Sequence, residues 1–170
     1  MSPRPDSETP GAPDPRMTSF GFRKPRIFPP IWLIIAIAAM YALNRWLPLA
    51  QLNTPMTSWS SWLLFAPGLA IDFIAVGGFR RAKTGAIPFS ESTALVTTGL
   101  YRFTRNPMYL GMALILAGVA LKMGSLGAWI SMPLFVWVIH RQFILNEEIF
   151  LAAIYGDEYR QYCQRVRRWI

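Results

Sequence analysis

Between residues 31 and 43 the chain carries no charged side chain, and three further stretches, at about 59–79, 107–121 and 128–145, are nearly as apolar. Hydrocarbon offers backbone N–H and C=O groups no partners, so segments of this kind are satisfied as helices. A spanning helix needs roughly 20 residues. The first span is therefore read as 30–47, with Asn44, Arg45 and Trp46 at its far end. Arg45 can snorkel and Trp46 suits the interface. The second span, 59–79, contains Pro67 and one acid, Asp72. The third, 107–121, is short at about 1.5 Å per residue, which leaves its polar end among headgroups. A turn with two glycines at 122–127 leads to the fourth span, 128–145, where Pro133 is expected to kink the helix. Residues 147–164 then read as an amphipathic interfacial helix broken or bent at Gly156, and Arg165, Arg167, Arg168 and Trp169 as a closing basic, aromatic membrane anchor. The expected fold is all-α: an integral membrane protein of four transmembrane helices and a C-terminal interfacial helix, in one domain over 27–170.

Composition supports this reading. Only 15% of the 170 residues are charged, against about 25% in soluble domains. Residues 1–26, rich in Pro, Ser, Asp and Gly, cannot bury enough surface to offset their ordering entropy and read as a disordered tail. Lacking an apolar core, the tail is not expected to be a cleaved signal peptide. The net charge of +8 does not indicate nucleic-acid binding, because no such module is visible and the basic residues flank apolar spans, where they face anionic headgroups. Cys163 is the single cysteine, which excludes an internal disulfide and a zinc-type cluster, so no metal is expected.

The basic residues also give an orientation. Five Lys/Arg lie in the N-terminal tail, five between 80 and 105, and five from His140 onward, leaving only Arg45 and Lys122 elsewhere. The excess of positive charge in cytoplasmic segments then places both termini and the central connection in the cytoplasm, in an inner or plasma membrane. Four spans satisfy that arrangement; three or five do not. The two stretches with polar character, 94–111 and 140–159, fall on the same side.

In the first of these stretches Gly99 can turn the chain, Asn106 before Pro107 suits a helix start, and Arg102 and Arg105 share a face if their segment is helical. A helix N-terminus beside arginines attracts a carboxylate or phosphate; ordinary capping with headgroup binding accounts for the same residues. In the second stretch Glu147 and Glu148 are adjacent acids, and His140 precedes Glu147 by seven residues, two turns of a regular helix and so one face. Tyr155, Tyr159 and Tyr162 also share a face, either as an interfacial aromatic belt or as a surface for a flat ring. Acids, arginines and tyrosines around one pocket suit a zwitterionic ligand with a ribose and a ring. Asp72 is a functional candidate because an ionisable group inside a span is costly, with pairing to Arg80 or Arg81 as the structural alternative.

The order L-V-T-T-G-L-Y, R-N-P-M-Y-L-G, E-E and Y-G-D-E-Y-x-x-Y resembles the isoprenylcysteine carboxyl methyltransferase and phospholipid N-methyltransferase superfamily of membrane enzymes. The resemblance covers about residues 94–169. It implies S-adenosylmethionine as cofactor, held in a cytoplasmic pocket closed by the C-terminal tail. By position the cofactor contacts are Thr93, Ala94, Leu95, Val96 and Tyr101, then Asn106, Pro107, Met108 and Tyr109, with Glu147 and Glu148 opposite. Asn106 replaces the family's usual histidine, the tail reads V-R-R-W where V-P-R is common, and Phe143 stands where the isoprenylcysteine branch has a substrate-contacting arginine. The last of these departures, Phe143, speaks against assuming a prenylated-cysteine substrate.

The function so implied is methyl transfer to a lipid or small hydrophobic acceptor that enters from the bilayer, by alignment and desolvation more than by acid–base chemistry. Arg105 and Asn106 are catalytic-site candidates, with Arg102 or Arg105 to hold the cofactor carboxylate and His140 as a base for an amine or thiol acceptor. Two other readings stay open: an NADPH-dependent membrane reductase related to sterol reductases, and a non-catalytic four-span membrane protein.

Overall fold

The computed structural model describes residues 27–47, 49, 54–81 and 94–170. The tail at 1–26 and Thr93 lie outside them. Among the described residues the regular structure is helical, and there is no β-strand. Helix α1 spans Pro29–Trp46, α2 Pro55–Ser60 and α3 Trp62–Arg81. After a 3-10 turn at Gly99–Arg102 come α4 (Pro107–Met123), α5 (Leu126–Trp129) and α6 (Ser131–Ile139). A π-helical turn, His140–Ile144, joins α6 to α7 (Leu145–Arg165) without a break. Two helical segments, Ser58–Arg81 and Leu126–Arg165, are long and apolar enough to cross a membrane.

Helices α1, α3 and α4 begin and end within a few residues of the expected apolar stretches, and two expectations change further on. The helix is interrupted at Ile130, between α5 and α6, where the missing N–H of Pro133 leaves the Trp129 carbonyl without its helical donor. The C-terminal helix is not a separate element but the continuation of α6 through the π turn, bent at Gly156 (φ 50°, ψ −117°). Only glycine tolerates that conformation readily. Trp169 packs against the main core and Arg168 bonds inward, so these two residues do not form a lipid anchor; Arg165 and Arg167 remain exposed.

The main core is built by α1, α4, α6 and the π turn, through Met40, Leu116, Ile139, Phe143 and Ile144, all essentially inaccessible. Large apolar side chains that point outward on α1 and α3, among them Ile34, Trp46, Trp62, Leu63 and Phe73, form the kind of surface that lipid covers.

Helix α3 meets α4 along a seam of small residues. A Cβ at Gly68 would lie 2.8 Å from the Gly111 carbonyl oxygen, and one at Gly118 2.9 Å from the Phe65 backbone nitrogen. Such close backbone approach is how helices associate where the surroundings are as apolar as the side chains. The seam holds the start of α4 and the end of α3 in one register, and both border the site. Gly118→Val should lower the thermal midpoint in detergent by the equivalent of about 1–3 kcal/mol. Gly77→Ala, whose Cβ would meet nothing within 4 Å, should leave it unchanged.

Candidate active site

The loop before α4 and the chain around α7 are far apart in sequence and interlock in space. Asn106 precedes α4 and Pro107 opens it, as the sequence suggested, but Asn106 makes no side-chain cap. Its Nδ2 donates instead to the Arg168 carbonyl at 2.9 Å. Thr104 Oγ1 donates to the same carbonyl at 3.2 Å and accepts the Asn106 N–H at 3.2 Å. The Arg105 N–H donates to the Arg167 carbonyl at 2.9 Å. Tyr162 O–H reaches the Tyr101 carbonyl at 2.7 Å. The C-terminal segment is thus strapped across residues 101–106 by main-chain groups.

Side chains complete the strap. Arg168 donates to both oxygens of Glu148, from Nε at 2.8 Å and Nη2 at 2.6 Å. This fork geometry is the strongest that a carboxylate accepts. Arg105 Nη1 stands 3.4 Å from Glu148 and donates to Cys163 Sγ. Arg102, by contrast, is exposed at the end of its 3-10 turn, so the two arginines do not share a face. An open cleft of about 590 Å³ lies beside this cluster, lined by Arg105, Glu148, Ile149, Tyr159, Cys163 and their neighbours. That volume is in the range of small-molecule sites.

Adjacent positions on a helix point about 100° apart, and the two glutamates diverge accordingly. Glu148 faces the arginines. Glu147 turns inward and accepts a 2.7 Å hydrogen bond from Tyr109 O–H. It lies just past Leu145, where the apolar stretch ends, and no ion pair reaches it among the described residues. Burial raises its carboxyl to about 7, against the pull of the Tyr109 hydrogen bond and with a smaller push from Glu148. Burial first, then the charges of Glu147, Tyr162 and Asp72, push the Tyr101 phenol well above its usual range. Tyr101 therefore lies within the field of two carboxyls.

Around Tyr101 the structure gathers several expected contacts. Val96, Tyr101 and Ala75 form a small cluster with Met108, Leu100 and Phe79 packed on it, and Gly99 turns with φ +63° as expected. Leu95 packs on Tyr159, Tyr162 and Val166. Pro107 is fully buried and Ala94 half-buried. The π turn changes the helical phase at His140. The π turn inserts one residue per loop, so seven residues no longer complete two turns, and His140 is rotated by roughly 100° from the face of Glu147. Its Nδ1 is buried without a partner. Asp72 does not pair with Arg80 or Arg81, which lie eight and nine residues on, about 12 Å or more along α3; its Oδ1 is buried with no hydrogen bond.

The residues that sequence reasoning missed are Thr104, Arg168 and Trp169. A hint was available for Arg168, since adjacent acids at the end of an apolar helix call for a nearby cation. The carbonyls of 167 and 168 left no side-chain signal. Arg168→Ala should loosen the strap and speed hydrogen exchange at the Arg105 N–H by about tenfold or more, the ratio corresponding to about 1.4 kcal/mol. Glu147→Gln keeps an acceptor for Tyr109 but removes a carboxyl whose folded pKa is above its ordinary value. Such a group disfavours the folded state progressively as pH rises from about 4.5 to about 7. The variant's melting temperature should therefore exceed that of the wild type at pH 8 and converge with it near pH 4.

A family model described as "Phospholipid methyltransferase" matches residues 52–158, well over half of the chain. A protein-S-isoprenylcysteine O-methyltransferase of Schizosaccharomyces pombe is 33% identical over 57% of this chain and 46% of its own length. The human protein-S-isoprenylcysteine O-methyltransferase is 34% identical over 45% of this chain and 27% of its length. An uncharacterized Haemophilus influenzae protein is 44% identical over 37% of this chain and all of its own length. The chain thus spans about half or less of the length of these two methyltransferases. No solved structure matches. The matched region takes in the seam of α3 and α4, the loop at 94–106 and the glutamates of α7, and the chain belongs to the phospholipid methyltransferase family.

Proposed function

We propose that this protein transfers a methyl group from S-adenosylmethionine to a lipid or small hydrophobic acceptor at the cytoplasmic face of a membrane. The observation that carries the reading is the meeting of residues 95–109 with Glu147, Tyr159, Tyr162 and Arg168 around one polar site at the end of an apolar bundle. Family membership supports the chemistry. In topology, α1, α3, α4 and residues 126–145 cross the bilayer, both termini lie in the cytoplasm, and the bent end of α7 lies at the interface.

The residues present fit the cofactor. Glu147, an inward carboxyl without a cation, complements a sulfonium or an ammonium group. Arg105, with a buried Nε that lacks a partner, complements a carboxylate at the mouth of the cleft. Tyr101 and Tyr159 offer ring faces. When bound, the cofactor supplies an electrophilic methyl on a positively charged sulfur. The protein's own part is to hold and align it and to exclude water: the strap from Val166 to Trp169 covers residues 101–106, and Val96, Met108 and Tyr101 wall the site from the bilayer side. Asn106 is tied to the Arg168 carbonyl and positions the strap.

Calorimetric titration in lipid nanodiscs tests this reading. S-adenosylmethionine and its demethylated product should bind, NADPH should not, and Glu147→Gln should weaken binding of S-adenosylmethionine by at least tenfold, the loss of about 1.4 kcal/mol or more expected for a charge-assisted contact. Binding of NADPH alone, or unchanged affinity in the variant, would remove it.

A further inference from the structure

The strap and the loop it covers carry more positive charge than the site uses. Residues 101–106 and 165–170 contain five arginines and no acid. Two of the five, Arg105 and Arg168, turn inward to Glu148. The other three, Arg102, Arg165 and Arg167, are exposed, and among the described residues no carboxylate pairs with any of them. Arg165 Nε donates to the Gln161 carbonyl at 3.3 Å, which leaves its charge unneutralised. The exposed acids on the same helix, Asp157 and Glu158, precede Arg165 by at least seven residues, about 10 Å along the axis, and Asp157 is held by Arg160. Two large apolar side chains stand among these cations: Phe103 is 75% exposed and Ile170 79%.

These residues share one junction. Arg102 and Phe103 immediately precede Thr104 on the loop, while Arg165, Arg167 and Ile170 flank the carbonyls that bond it on the strap. The patch is therefore assembled only when the strap is docked. Its level is that of lipid headgroups, because α4 is apolar from Pro107 onward and Arg102 and Phe103 stand five and four residues before it. Basic side chains interleaved with exposed apolar ones at that depth suit an anionic lipid surface, whose phosphates take the charge and whose acyl boundary takes the apolar groups. A soluble acidic partner would meet the arginines but gains nothing from an apolar ring at headgroup depth. We propose that this junction is a docking surface for anionic lipids, and that docking on them holds the strap closed. A surface that binds the assembled patch more tightly than its separated halves raises the closed population by that difference. Membrane charge thereby becomes an effector of the site beneath. The consequence for the methyl donor rests on the methyltransferase reading; closure of the strap does not.

The reporter of closure is hydrogen exchange at the Arg105 N–H, which the Arg167 carbonyl protects while the strap is docked. It is measured in nanodiscs of phosphatidylcholine alone and with one third phosphatidylglycerol. Binding of the demethylated product of S-adenosylmethionine is measured alongside, since that molecule has no net charge and is not concentrated by the surface itself. Anionic lipid should slow the exchange by about fivefold or more, the equivalent of roughly one arginine's attraction to such a surface, and tighten product binding in parallel. Raised salt should cancel both effects. Arg102→Gln, Arg165→Gln and Arg167→Gln together should abolish the response. Arg80→Gln, Arg81→Gln and Arg141→Gln together, an equal loss of charge from exposed positions at the end of α3 and on the π turn, should keep it. Exchange that ignores lipid charge in the wild type would overturn the proposal and return the patch to acidic protein partners; an equal loss of response in both sets of variants would also overturn it. If the first set fails to fold, its three single substitutions decide, since each should remove part of the response. Constant product affinity while exchange slows would overturn the role of membrane charge as an effector. A response in exchange without product binding in either membrane keeps the docking surface and removes the methyltransferase reading, and product binding without a response does the reverse.

Discussion

The structure around the candidate site depends on two backbone carbonyls, those of Arg167 and Arg168. Between them they accept from the Arg105 N–H, Thr104 Oγ1 and Asn106 Nδ2, and so fix the last residues of the chain against the loop that opens α4. The grip of Arg168 on Glu148, the packing of Trp169 against the main core and the reach of Tyr162 to Tyr101 all presuppose that docking. Several weak, differently directed contacts close the site more uniquely than one strong one would, since all must be met by one backbone path.

The second constraint is the seam of α3 and α4. Glycines at 68, 111 and 118 bring two backbones close, which gains packing where there is no hydrophobic driving force to gain. It also brings Asp72 beside the loop of the site. The apolar core lies on the opposite face of α4, shared with α1 and α6. Helix α4 is thus a partition: one face carries dense apolar packing, the other a tight polar notch, and its N-terminus carries Tyr109 toward Glu147.

Much of this was legible in the residues. Charge-free runs located the helices, because charge is expensive in hydrocarbon wherever it falls. Asn106 and Pro107 marked the start of α4, Gly99 and Gly156 marked positive φ, and the pairing of the 94–111 stretch with Glu147 and Glu148 emerged from motif order. What was not legible has a common cause. The carbonyls of Arg167 and Arg168 accept bonds irrespective of side chain, so sequence reading took Arg168 and Trp169 for a lipid anchor. The π turn leaves no periodic signature in a segment apolar on every side, so His140 was placed on the face of Glu147. Nearness in sequence suggested a pairing of Asp72 with Arg80 or Arg81, but eight or nine residues of helix separate them by about 12 Å or more along its axis.

The π turn at His140–Ile144 has a consequence for how such a chain can change over time. It works as a phase adjuster between two registers: the one in which Phe135 and Ile139 meet the core, and the one in which Glu147 meets Tyr109. Losing a single residue there would return the helix to an even winding and swing everything beyond it through about a quarter-turn. Both glutamates, the bend at Gly156 and the closing strap would swing together. Within this uninterrupted helix the count of residues therefore serves as an angular setting, whereas a residue added in a connection between helices leaves the helical phase untouched.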